Sequence, residues 1–314
     1  MKGAIKKIDR PIFLIGSGRS GTTILYHVLG GHPELSWFSN YNDRWPASFA
    51  LAALSRFYRF AALKAWRGKA LPAPSEAYAV WDFARPVSDS PCDPPLDETH
   101  VTATERERTR RLVAANLKYH GKARFLNKNT RNTRRVRYLQ NIFPDAVFIH
   151  VIRDPRAAIA SLLKVEWWPT MKVWCQNQIT PQQWAEQGND PALLAAQLWV
   201  TEVRCVLEDK TALAPQQYLE VRYEEFIHNP KKILQHLLGF CDLKWTSRFE
   251  SFVESFALQS MNFKFKNQFT PQQLAQIEKL VAPLAQQLGY EMEEPSTVSS
   301  RSGGRARGMS LAPL

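Results

Sequence analysis

The feature that most constrains this chain is a short apolar run, Pro11-Ile-Phe-Leu-Ile15, that stops abruptly in Gly16-Ser-Gly-Arg-Ser-Gly-Thr-Thr23. An apolar run without alternation describes a strand buried on both faces, the pattern of a parallel sheet. Beyond the glycines, Ile24, Leu25, Val28 and Leu29 recur at helical spacing, so the chain passes from strand through a tight turn into a helix. The same order returns at Ala146-Val-Phe-Ile-His-Val-Ile152, followed by Arg-Asp-Pro and an alanine-rich helical stretch to about residue 164. Residues 217–222 read as a third strand with a helix over 230–238, and residues 124–126 as a fourth, very short strand. Strands alternating with helices predict an α/β fold of three layers, a central parallel sheet flanked by helices.

The turn after the first strand is built to meet an anion. Glycines let the backbone fold tightly and point several N–H groups inward, and the helix N-terminus adds the positive end of its dipole. The spacing of Gly16 and Gly21 is that of a nucleotide P-loop, yet Thr22 stands where such loops carry the lysine that neutralises β/γ-phosphate oxygens. Arg19 supplies positive charge from inside the loop instead, which makes Arg19, Ser20, Gly21, Thr22 and Thr23 candidate anion ligands. A second such site follows the other long strand, at Val151-Ile-Arg-Asp-Pro-Arg156. Ligands of open parallel sheets bind outside the carboxyl ends of strands, so Arg153 is aimed at the same edge as Arg19. Asp154 suits the N-cap and Pro155 the first helical position. Ser161 comes eight residues after Arg153, about two turns into that helix. An arginine fork with a hydroxyl holds phosphate by charge-assisted hydrogen bonds.

Composition narrows the partners. The 314 residues carry 41 Lys and Arg against 29 Asp and Glu, a net charge of +12. Between residues 101 and 140 twelve cations face only Glu105 and Glu107, leaving +10 in one stretch. Such a stretch is either a solvated face or an attractor for nucleic acid, a phosphorylated small molecule or an acidic substrate. No stacking motif of the RRM or KH type supports nucleic acid as the partner. A hydrophobic content of 45% excludes wholesale disorder and a collagen-like fibre. No apolar run reaches the ~18 residues of a spanning helix; the nearest candidate, residues 45–66, is broken by Arg56, Arg59 and Lys64. Cys92, Cys175, Cys205 and Cys241 stand singly without a CxxC pair, which points to a reducing, cytoplasmic setting and no zinc site. Residues 1–294 read as one domain. Within it, residues 41–98, helical and then proline-rich, read as an insertion and lid near the ligand edge. Residues 295–314, with Arg301, Arg305 and Arg307 among Ser and Gly, read as a disordered basic tail. Thr-Pro-Gln-Gln at Thr180 and again at Thr270 is a capping box with Pro at the first helical position. The tryptophans Trp167, Trp168, Trp174 and Trp184, and again Trp37, Trp45, Trp66 and Trp81, either line an apolar or sugar-stacking pocket or belong to the core.

The two anion loops together resemble the sulfotransferases that use 3′-phosphoadenylyl sulfate (PAPS), in the bacterial and tyrosylprotein-type branch. Arg19-Ser-Gly-Thr-Thr23 is similar to that family's 5′-phosphosulfate loop, and Arg153-Asp-Pro-Arg with Ser161 to its 3′-phosphate motif. Weaker similarity runs through Asn127-Lys128, Tyr223-Glu-Glu225 and Lys264, so that the resemblance spans residues 11–290. It implies a P-loop-like fold and transfer of a sulfuryl group from PAPS to a hydroxyl or amine of an acceptor, with adenosine 3′,5′-bisphosphate as product and no metal. The missing loop lysine agrees with this, because PAPS has no γ-phosphate. By the same resemblance the loop from Arg19 to Thr23 binds the 5′-phosphosulfate. Arg153 and Ser161 bind the 3′-phosphate, with Tyr223 and Lys264 nearby on the nucleotide. Lys128 falls where relatives stabilise the sulfuryl group in flight. The family's general base is a Glu shortly after a His-Pro; here His32-Pro33 leads instead to Ser39 and Asn40, and Asp43, the nearest carboxylate beyond them, becomes the candidate base. The acceptor is expected to be a small molecule, a lipid or a glycan. The alternatives are a non-catalytic PAPS-binding protein and a P-loop kinase-like phosphotransferase, the latter disfavoured by the absent loop lysine.

Overall fold

The computed structural model describes residues 8–85, 94–256, 258, 265 and 267–292. Among these, the sheet consists of β1 (Ile12–Ile15), β2 (Leu35–Ser36), β3 (Arg124–Lys128), β4 (Val147–Ile152) and β5 (Tyr218–Arg222), in the order β2-β3-β1-β4-β5. Every pairing is parallel, with Ile12 in register with both Leu126 and Val147. Helix α1 (Thr22–Leu29) follows β1, and α2 (Asn40–Arg44), α3 (Tyr78–Ala84) and α4 (Ala103–His120) lie between β2 and β3. Helix α5 (Val136–Ile142) leads into β4. Helices α6 (Pro155–Leu162), α7 (Pro181–Glu186) and α8 (Pro191–Asp209) connect β4 to β5. After β5 come α9 (Tyr223–His228), α10 (Pro230–Phe240), α11 (Ser247–Glu254) and α12 (Pro271–Gln287).

The alternation within β1 divides the layers. Ile12 and Leu14 pack on one face with Leu25 and Leu29 of α1 and Leu234 and Leu237 of α10. Phe13 and Ile15 pack on the other with Val113 and Leu117 of α4 and Leu139 and Ile142 of α5. Each such side chain, withdrawn from water on both sides of the sheet, contributes about 1.5–3 kcal/mol of burial before ordering costs. A third core gathers Ile159 of α6, Leu194 and Val203 of α8, and Ile277 and Val281 of α12 beyond the β4–β5 side. This is the three-layer α/β fold expected from the sequence.

Three elements differ from the sequence reading. β2 has two residues, too few to leave a periodic trace. β3 continues past its apolar residues through Asn127 and Lys128, because both pair in register with Phe13 and Leu14 of β1. The side chains of these two polar residues are nevertheless buried. The stretch with cations at 56, 59 and 64 winds as 3₁₀ turns, Phe49–Arg59 and Ala61–Trp66. Both Thr-Pro-Gln-Gln segments form the capping box, at the starts of α7 and α12. Cys175, Cys205 and Cys241 carry free thiols; Cys92 and the basic tail lie outside the described residues. No helix among the described residues is long and apolar enough to cross a membrane.

Candidate active site

At the carboxyl ends of β1, β3 and β4 the chain encloses a cavity of about 950 Å³. The first loop forms its floor. Gly16 adopts φ 151, and a Cβ there would lie 2.4 Å from the carbonyl oxygen of Val151. Its N–H donates to Thr133 Oγ1 at 3.1 Å, and that hydroxyl donates back to the Gly16 carbonyl at 2.9 Å. Arg19 sits in the left-handed region at φ 69 and Gly21 at φ 89. Gly21 is also the N-cap of α1, and no side chain caps the helix there. The N–H groups of the first turn therefore face the cavity floor as donors for an incoming anion. Arg19, Gly21, Thr22 and Thr23 line the cavity. Ser20 does not; it is buried, its Oγ paired with Ser17 Oγ at 2.7 Å, and it shapes the loop from behind.

The second loop joins the first directly. Asp154 caps α6 by accepting from the Arg156 N–H at 2.9 Å. Arg156 also reaches Glu278 at 2.9 Å, so it ties α6 to α12. Of this loop's two arginines, Arg153 lines the cavity. One of its Nη1 hydrogens goes to the Arg19 carbonyl at 2.9 Å, and its guanidinium lies 4.6 Å from the Tyr223 ring centroid. Ser161 accepts from Arg19 Nε at 3.1 Å. Tyr223, at the start of α9, backs both loops, since a Cβ on Gly21 would fall 2.2 Å from its ring. Arg19, Arg153, Ser161 and Tyr223, separated widely in sequence, are thus brought to one wall.

Lys128 ends β3 with its side chain 4% exposed. Its ammonium is hydrogen-bonded to Glu76 Oε1. The other carboxylate oxygen of Glu76 accepts from the Tyr78 hydroxyl at 2.6 Å and from the Thr130 N–H at 3.2 Å. Burial pushes the Glu76 carboxyl up, but the Lys128 charge and these hydrogen bonds outweigh it and hold the carboxyl below its ordinary value. Glu76 is therefore an anion at neutral pH, in a cavity otherwise rich in cations. Glu202 of α8, likewise a cavity residue, accepts from the Gly18 N–H at 3.1 Å and lies 3.8 Å from Arg134. Burial raises its pKa. His27 of α1 completes this side. Burial, and then the charges of Lys128 and Arg67, lower its pKa to about 4, so its ring is neutral. The Tyr58 hydroxyl donates to the His27 carbonyl at 3.0 Å and leaves its oxygen to accept from Nδ1 at 3.1 Å, which puts the lone pair on Nε2.

Asp43, expected as the base, does not line this cavity but a shallow depression beside Trp45. Its Oδ1 accepts from the Ala79 N–H at 2.9 Å and its Oδ2 from the Ser75 hydroxyl at 3.1 Å, so it stabilises the start of α3. Lys264 lies outside the described residues. Of the twelve cations between 101 and 140, Lys128, Arg131 and Arg134 face the cavity. Glu76, Glu202 and His27 carried no motif; the one signal for Glu76 is its place in the proline-rich connection next to the ligand edge. No three His, Cys, Asp or Glu side chains among the described residues gather into a set that could hold a metal ion.

Comparison with known proteins decides the class. The model of the sulfotransferase family matches residues 11–247. The chain belongs to the sulfotransferase family. Its reaction is the transfer of a sulfuryl group, with PAPS as the sulfuryl donor. Over 316 aligned residues this sulfotransferase is 23% identical to the omega-hydroxy-beta-dihydromenaquinone-9 sulfotransferase of Mycobacterium bovis, which covers 93% of this chain and 78% of that protein. Among solved structures, a sulfotransferase of Mycobacterium avium superposes with a TM-score of 0.59 at 17% identity, covering 91% of this chain and 79% of the other. The sulfotransferase domain of the olefin synthase of Synechococcus PCC 7002 gives 0.52 at 17% identity, covering 93% and 99%. These likenesses establish the fold of this sulfotransferase.

Proposed function

We propose that the cavity holds PAPS with its 5′-phosphosulfate against the loop from Arg19 to Thr23 and its 3′-phosphate against Arg153 and Ser161, and that the sulfuryl group passes to a hydroxyl on a small apolar acceptor. The observation that carries this reading is the double contact of Arg19, whose Nε reaches Ser161 Oγ at 3.1 Å while its carbonyl accepts from Arg153 at 2.9 Å. Two anion-binding loops fused in this way suit a ligand with two separated anionic groups better than a single phosphate. In the transfer, the acceptor oxygen bonds to sulfur as the bond from sulfur to the bridging phosphate oxygen breaks. The acceptor's proton goes to the Glu76 carboxylate, and the electron pair leaves with adenosine 3′,5′-bisphosphate. Lys128, beside Glu76, neutralises charge building on the leaving oxygen, an interaction worth most in the transition state. The acceptor's apolar character is supported by Ile24, Val165, Met171, Trp174 and Phe265 in the cavity wall. The menaquinone derivative in the mycobacterial relative's name agrees with it.

Calorimetric titration tests the donor half of the reading. Adenosine 3′,5′-bisphosphate is expected to bind much more tightly than 5′-AMP. Arg153→Ala removes most of the difference, about ten- to a hundredfold, since one charge-assisted hydrogen bond is worth roughly 1.5–3 kcal/mol. Equal affinities of the wild-type protein for the two nucleotides would overturn the assignment of the 3′-phosphate site.

A further inference from the structure

From Arg44 to Ser75 the chain carries six cations, Arg44, Arg56, Arg59, Lys64, Arg67 and Lys69, and not one Asp or Glu. The inner side of this segment is anchored. Tyr58 is 1% exposed and bonded to His27, and Arg59 donates to the carbonyls of Gly31, His32 and Leu35. The outer side is different. Trp45, Phe60 and Trp66 are 48%, 48% and 57% exposed, with Arg44, Arg56, Lys64 and Lys69 exposed between them. Trp45, Leu51 and Lys69 line one shallow depression, so the two ends of the segment meet on the same face. The Arg44 guanidinium stands 5.3 Å from the Trp45 ring.

Three large rings half in water within one segment of 22 residues mark a candidate contact surface. Their setting says what it contacts. A protein-binding patch gathers its apolar residues at a centre and keeps its charges on the rim. Here rings and cations are interspersed along the segment, and of the charged residues lining the depression Arg44 and Lys69 outnumber the single carboxylate, Asp43. That is the arrangement of a membrane-surface element, in which Trp and Phe enter the boundary of the acyl region while Lys and Arg meet anionic headgroups. We infer that this face docks on the surface of an anionic lipid bilayer. The inner side of the segment is tied to the cavity wall, because Tyr58 donates to the carbonyl of His27, a cavity residue. The docking itself stands whether or not the acceptor is a lipid.

Sedimentation with vesicles tests it. The full chain is expected to pellet with phosphatidylcholine vesicles containing about 30% phosphatidylglycerol, to stay in solution with pure phosphatidylcholine, and to be released by high salt. Phe60→Glu with Trp66→Glu is expected to lower vesicle affinity by at least about tenfold, and so is Arg56→Glu with Lys69→Glu. Both pairs should leave the affinity for adenosine 3′,5′-bisphosphate unchanged, which also reports that the variants are folded. A wild-type chain that stays in solution with anionic vesicles overturns the inference. So does wild-type sedimentation by both folded variants, which would assign lipid binding to other cations such as Arg301, Arg305 and Arg307. Vesicle binding together with failure to sulfate any lipid hydroxyl would count against the acceptor reading alone.

Discussion

Two regions of one cavity are held in place by different means. Arg19, Arg153, Ser161 and Tyr223 hang from the carboxyl ends of β1, β4 and β5, and main-chain groups take part in holding them: the Arg19 carbonyl, the caps of α1 and α6, the bare Cα of Gly21. Lys128, Glu76, Tyr78 and Thr130 meet instead around one side chain, the Glu76 carboxylate, across a separation of 52 residues between Lys128 and Glu76. The first region is set by the course of the sheet. The second is a balance of charges, in which, against burial, the Lys128 ammonium and the hydrogen bonds from Tyr78 and Thr130 hold the Glu76 carboxyl below its ordinary value. Damage to the first should therefore appear in nucleotide affinity, and damage to the second in turnover.

The sharpest break of that contrast is Glu76→Gln. It keeps the shape and removes the proton acceptor, so kcat should fall by about 10²–10⁴ with the affinity for adenosine 3′,5′-bisphosphate nearly intact. Single-turnover transfer from labelled PAPS, with affinity measured separately, reads both numbers. An equal loss in both would erase the distinction between the regions. Lys128→Ala follows, with an expected drop in kcat of about 10²–10³ and a much smaller change in donor affinity. An unchanged single-turnover rate would return Lys128 to a purely structural role.

Acidification probes the same charges through stability. His27, His120 and His150 are held neutral by burial, at about 4, about 3 and about 4. In the unfolded chain each titrates near its ordinary value of about 6.5. Below that pH the unfolded state binds protons that the folded state refuses, so stability is present above pH ~6.5 and is lost as pH falls toward ~4. By pH ~4 the loss is at most about 3 kcal/mol per histidine, because each tenfold difference in proton affinity between the two states is worth roughly 1.4 kcal/mol. Thermal unfolding midpoints followed over that window should decline. Because Lys128 is the second cause of the lowered His27 pKa, Lys128→Ala should flatten the decline. A variant as acid-sensitive as the wild type would argue against close contact between the two. The smallest effect belongs to Asp43→Ala. It should cost about 1 kcal/mol, as the loss of a helix-start acceptor does, with kcat lowered less than tenfold. A kcat loss as large as that of Glu76→Gln would restore Asp43 as the base.

The same contrast explains how much of the molecule is legible in its sequence. Glycines, hydroxyls and an arginine packed into Gly16 to Thr23 encode a backbone shape locally, so the first loop and its helix are legible residue by residue. Arg153 and Ser161 are legible because one strand end and one helix fix their spacing. Glu76 is not, because its partner arrives only when β3 pairs with β1 and carries Lys128 to the edge. Asp43 shows why nearness in sequence is a weak guide here: α2 turns it toward the start of α3, while Glu76 reaches Lys128 from a distant part of the chain. Glu202 carries no motif, and only the packing of α8 against the loop reveals its bond to Gly18. The fold is legible more fully, since apolar runs announce buried strands. β2 escapes because two residues make no pattern.

The ring of Tyr223 fills the space beside Gly21 and carries the Arg153 guanidinium on its face. A single side chain from the end of the last strand thus props both loops. The freedom of those loops is surrendered during folding, when β5 pairs with β4, and little of it is left to lose when a nucleotide arrives. This has a bearing on timing in the cell. The loop at residues 16–23 emerges early from the ribosome, yet it acquires its support only after Tyr223 has been synthesised and β5 has joined the sheet. A nascent chain halted before that point displays the motif without the grip.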